Sequence, residues 1–116
     1  MDNMNHLDVS DGFIKSIQIF DNEAEIVIEK WNAKIVKLKL KECWRLKDRQ
    51  STNREISHLI VLEQSELLDE VIADIIEGGG SKEEVKDAFQ ITFYEPYYNN
   101  IILEIVATSI VIQEMD

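Results

Sequence analysis

Catalysis and metal binding are built mostly from histidine, cysteine and carboxylate side chains, and only carboxylates are plentiful in this 116-residue chain. The histidines are His6 and His58, and the single cysteine is Cys43. A metal site needs several such ligands converging. No H-x-x-x-H or C-x-x-C pair is present, so neither structural zinc nor another metal is expected, and no cofactor is implied. Cys43 lies near Lys41 and Arg45, cations of the kind that activate a thiol. Paired with His58 on a neighbouring strand it would make a nucleophile. The simpler reading is a small apolar residue beside Trp44. His58 alternates with Ile56 and Ile60, which marks a core or sheet-face residue, and His6 falls in a polar N-terminal stretch. Gly78-Gly79-Gly80-Ser81-Lys82 has the composition of a phosphate cradle without its order, and reads as a helix stop. No G-x-S-x-G elbow occurs. These absences set the expectation of a non-enzymatic protein.

The 23 acidic residues against 12 basic ones give a net charge of −11. So many carboxylates create accidental pairs, and most fall on expected solvent faces. Glu104 differs: it shares a face with Ile102 and Val106 in an apolar strand, where ion pairing is its expected role. The charge is also segregated. Residues 34–54 hold eight of the basic residues and only Glu42 and Asp48 as acids, a segment of +6 that leaves −17 elsewhere. Glu66, Asp69, Glu70, Asp74 and Glu77 give one expected helix a wholly negative solvent face, lacking opposite-charge i,i+4 pairs. A second candidate binding feature is the loop carrying Tyr94, Tyr97 and Tyr98, since tyrosine is enriched in interface hot spots. These eight residues form the candidate partner-binding set.

The elements that must position them follow from periodicity. Residues 1–11 are polar and expected to be loosely ordered. Strands are expected at 13–20 and 23–31, joined by a tight Asp21-Asn22 turn, and at 35–41. A three-residue loop Asn32-Ala33-Lys34 would set Ile28 opposite Leu38, Glu29 opposite Lys37 and Glu25 opposite Lys41, each charge pair contributing roughly 0.2–1 kcal/mol. Residues 42–53 read as strand fraying into loop near Asp48. A fourth strand over 55–62 is apolar on both faces and so expected to be central. Ser65 caps a helix over 66–77 whose buried stripe is Leu67, Leu68, Val71, Ile72, Ile75 and Ile76. A short helical turn follows Ser81. Strands near 88–94 and 101–113 close the chain. The expected fold is a single α+β domain: a mainly antiparallel, curved, six-stranded sheet in the order β-β-β-β-α-β-β with one main helix packed on it.

An acidic chain repels nucleic acid and anionic membrane surfaces. The N-terminus lacks a secretory pattern and no apolar run spans a membrane, so the expectation is a cytoplasmic protein. Trp31-Asn32, Cys43-Trp44 and Leu103-Glu104-Ile105-Val106-Ala107 give the chain's layout. In these it resembles small single-domain bacterial proteins of unassigned function, some regarded as immunity proteins that neutralise partner toxins. The resemblance implies an interaction role without turnover and supplies no catalytic residue. The leading expectation is a protein that binds a basic protein through acidic surface. The alternative is a small-ligand module with a pocket between sheet and helix. Oligomeric state is left open.

Overall fold

The computed structural model describes residues 9–115. In chain order the elements are β1 (Phe13–Phe20), β2 (Glu23–Glu29), β3 (Ile35–Lys41), β4 (Arg45–Asp48), β5 (His58–Leu62), α1 (Glu66–Glu77), α2 (Lys82–Val85), β6 (Phe89–Tyr94), β7 (Ile101–Ala107) and β8 (Ser109–Met115). The fold is α+β with antiparallel pairing and one main helix. The expected single six-stranded sheet is replaced by two four-stranded sheets, ordered β1-β2-β3-β8 and β4-β7-β6-β5.

Two long bent strands produce this division. β3 pairs with β8 and β4 pairs with β7, so one ribbon serves both sheets. Between Lys41↔Ser109 and Arg45↔Val106, three residues (42–44) face two (107–108), the count of a β-bulge. Glu42 turns the corner with φ 51°, and the Cys43 amide donates to Asn22 O at 2.6 Å. Segment 42–53 therefore contains a separate strand, and the expected last strand breaks at Thr108 and changes sheet. Folding the ribbon brings the inner faces together. Ala24, Ile26, Ile28, Val36, Leu38 and Leu40 pack in one core with Phe89, Ile91, Phe93, Leu103, Ile105 and Ala107. Alternation along β2 and β3 supplies half of that core, because successive side chains point to opposite faces.

The turns fix registers. Asp21-Asn22 closes the first hairpin between Phe20 and Glu23, with Asp21 at φ 53°. The next loop is Trp31-Asn32-Ala33, one residue earlier than expected: Lys30 N donates to Lys34 O and Ala33 takes φ 67°. The register slides by two, to Ile28↔Val36, Ile26↔Leu38, Glu25↔Lys39 and Val27↔Lys37. A two-residue slide preserves faces, so the alternation argument could not separate the two registers. Near the start, Val9 is buried and Asp11 N donates to Ile56 O. A Cβ on Gly12 would lie 2.8 Å from Glu29 O, so the close approach of the two strands there requires glycine. Residues 1–8, with His6, lie outside the described residues.

β5 is an edge strand beginning at His58, contrary to its expected central place. The central strands are β6 and β7, buried almost throughout. On the outer face of this second sheet, Leu67, Leu68 and Val71 of α1 pack over Val106, with Trp44, Ile72, Ile75 and Ala88 around them. Ser65 Oγ accepts from Leu68 N at 2.9 Å, the expected cap. At the other end Gly79 N donates to Ile76 O and Gly80 N to Ile75 O, a Schellman closure with Gly79 at φ 101°.

Candidate functional site

The segment 63–87, with α1 and α2, carries nine acids against Lys82 and Lys86. All five candidate acids of α1 are exposed, because the apolar stripe that seats the helix turns them outward. They are not equivalent. Arg45, on the outer face of β4, donates to Glu70 Oε1 at 2.8 Å and Asp74 Oδ2 at 2.9 Å. These acids are one turn apart, so one guanidinium spans both. Its hydrogen bonds to Glu70, then to Asp74, hold the Arg45 pKa above its ordinary value. The helix face is thus partly neutralised from within the chain. Glu66, Asp69 and Glu77 form no ion pair among the described residues. Glu66 and Asp69 suit the positive end of the helix dipole, whereas Glu77 sits in the last turn with no basic residue there, an unfavourable place.

Beneath the start of α1 lies a buried polar network that the sequence did not disclose. Glu104 projects from β7 with its residue only 9 % exposed. Arg49 Nη2 donates to its Oε1 at 3.3 Å and Gln90 Nε2 to its Oε2 at 3.2 Å. Gln90 also donates to Thr92 Oγ1 at 2.8 Å and accepts from the Ser65 hydroxyl. The cap of α1 is thereby tied to the second sheet. Glu104 has the ion-pairing role expected of it, with Arg49 as the partner.

The tyrosines part company. Tyr94 is half-buried and stacks on His58, with ring centroids 4.7 Å apart and planes at 13°. Tyr97 and Tyr98 are 79 % and 83 % exposed. Their backbone amides donate to the buried Glu95 carboxylate at 2.9 and 2.8 Å, and Asn100 N adds a longer bond at 3.4 Å. Burial acts to raise the Glu95 pKa, but these backbone donors and the Arg54 charge outweigh it and hold the carboxyl below its ordinary value. A single carboxylate thus shapes the loop that displays both rings.

The sequence-level nucleophile is not assembled. Cys43 precedes β4 and His58 begins β5, at opposite edges of the second sheet. Three strand spacings, about 14 Å, separate those edges. Burial pushes the Cys43 thiol pKa up, against a smaller opposing effect of the Arg45 backbone. Glu104 occupies a central strand, engaged with Arg49 and Gln90, away from both. Among the described residues no group of His, Cys, Asp and Glu side chains is placed to hold a metal ion, and no helix is long and apolar enough to cross a membrane. No protein-family model, curated protein or solved structure matches the chain.

Proposed function

We propose that this chain is a non-enzymatic interaction protein whose acidic helical layer docks a basic protein. The observation that carries the reading is the contrast within α1: Arg45 engages Glu70 and Asp74, while Glu66, Asp69 and Glu77 stand exposed in a segment of net charge −7. An uncompensated acid in the last turn costs the helix a few tenths of a kcal/mol, and a cationic partner surface would remove that cost. The exposed rings of Tyr97 and Tyr98 offer a second contact of the kind enriched in interfaces. A toxin is the partner class we favour, since some of the small bacterial proteins that the chain resembles are regarded as immunity proteins. Rim charges chiefly steer association, so binding should be fast and weaken with salt.

Affinity capture from a lysate of the source organism, with wild-type bait beside the triple variant Glu66→Lys, Asp69→Lys, Glu77→Lys, tests this. The expected result is a Lys/Arg-rich protein held by wild type, released by salt and lost with the variant. Equal capture by both baits, or no specific capture by wild type, refutes the acidic layer as the docking surface.

A further inference from the structure

Strand edges invite pairing with other chains, and proteins ordinarily blunt them. The four edges here are treated unequally. The first half of β1 is covered by the chain itself, since Ile14 N donates to Arg54 O and Asn53 N to Ile14 O, and β1 also carries a bulge between Ile14 and Ser16. β4 spans four residues and presents Arg45, Lys47 and Asp48. β5 spans five and is followed by Glu63. β8 has seven residues, no bulge in its pairing with β3, no proline, and no charge before Glu114. Among the described residues its second edge makes no backbone hydrogen bond.

The side chains of β8 are also left unfinished. Ile110 and Ile112 lie across from Leu40 and Leu38, which are fully buried, and pack against the same core, yet both remain partly exposed. On the opposite face Val111 is 50 % exposed. One more strand would finish that burial.

We infer that β8 pairs antiparallel with β8 of a second copy, across a two-fold axis at Val111, joining two four-stranded sheets into one. The strand is self-complementary about that residue. Val111 meets its own copy, Ile110 meets Ile112 of the partner subunit, and Ser109 meets Gln113 of the partner subunit. Apolar thus faces apolar on both sides, and polar faces polar. Glu114 falls opposite Thr108 of the partner subunit, so no acid faces an acid. Centring the axis on Ile112 instead would set Ile110 against a glutamate, which is why the Val111 register is chosen. Such a contact is small, so the dimer is reversible. Each copy carries −11, so screening salt should tighten it. That sign is opposite to the one expected for docking a basic partner, which separates the two associations.

Sedimentation equilibrium of the full chain from micromolar to near-millimolar concentration tests the pairing. The wild-type mass should rise toward twice 13.5 kDa, and more readily at higher salt. Val111→Glu should abolish the rise. Within one chain the introduced carboxylate faces Lys39, so the fold is kept, but across the axis two carboxylates collide. Ile60→Glu on the β5 edge should leave the dimer intact. With Cys43→Ser, Val111→Cys should cross-link on oxidation about tenfold faster than Gln113→Cys, because only the former brings like residues into disulfide reach. A wild-type monomer throughout, a dimer indifferent to Val111→Glu, a dimer lost with Ile60→Glu, or equal cross-linking would each overturn the inference.

Discussion

The outer faces of the two sheets are built differently from similar strand patterns. On the first sheet the outer face is solvated: Glu25, Val27 and Glu29 of β2 stand beside Ile35, Lys37 and Lys39 of β3, all partly or fully exposed. On the second, α1 seals Val106, and Gln90, Thr92 and Glu104 are buried in a network closed by Ser65 and Arg49. A polar residue on the first outer face has water as its partner. On the second it must find one within the chain, because an unmet buried group costs about 1–3 kcal/mol. Equal changes on the two faces should therefore have unequal effects, and the helix is the cause.

The largest contrast concerns packing. Leu68, 1 % exposed under α1, should cost about 2–5 kcal/mol when changed to Ala. Val27→Ala on the open face should cost under about 1 kcal/mol. Urea midpoints at an unchanged denaturant slope measure both. Similar midpoints would mean that α1 does not seal the sheet.

Next comes the network. Glu104→Ala strips Gln90 of one acceptor and Arg49 of its carboxylate, and should cost about 2–3 kcal/mol. Glu104→Gln keeps an acceptor for Gln90 and should cost about half as much. Glu29→Ala, its solvated counterpart, should change stability by less than about 0.5 kcal/mol. A Glu104→Leu variant as stable as wild type would show that packing at this position matters more than its pairing.

A smaller effect is expected at the helix face. Arg45→Ala should cost about 0.5–1 kcal/mol, since its partners are more than half exposed and solvent screens them. It also leaves Glu70 and Asp74 to repel each other one turn apart. The loss should shrink in about 1 M salt, where the Debye length falls to about 3 Å. A salt-independent loss would assign the role of Arg45 to its aliphatic packing.

What the sequence disclosed follows the range of each signal. The Asp21-Asn22 hairpin, the Ser65 cap and the glycine stop were readable because each acts within a few residues. The sheet change was not, because Glu42 takes its left-handed φ without being glycine and nothing local marks Thr108 as its counterpart. β6 hid as a central strand because Gln90 and Thr92 alternate with its apolar residues as a solvent face would. β5 imitated a central strand because its outer residues are apolar although it lies at an edge. In the candidate site, the five acids of α1 were visible by type and spacing. The reach of Arg45 to two of them was not, since it depends on where the helix settles on β4 and β7.

The smallest predicted effect is local and concerns the loop after β6. Glu95 titrates below its ordinary value, near 4.5 when unperturbed, because its ionised form gathers the amides of Tyr97, Tyr98 and Asn100. A carboxyl with a lowered folded pKa adds stability that is fully present above its unfolded pKa and is lost as pH falls through its folded value. The loop should therefore be held at neutral pH and begin to loosen below about pH 4.5. Amide hydrogen exchange at Tyr97 and Tyr98, corrected for intrinsic rates, should show protection falling over that window. Glu95→Gln should lower protection at neutral pH and remove the pH dependence, while the urea midpoint barely moves, because the loop lies outside both cores. Protection at Tyr97 and Tyr98 that survives both acid and Glu95→Gln would show that the turn holds itself by backbone pairing alone, through the bond from Glu95 N to Asn100 O.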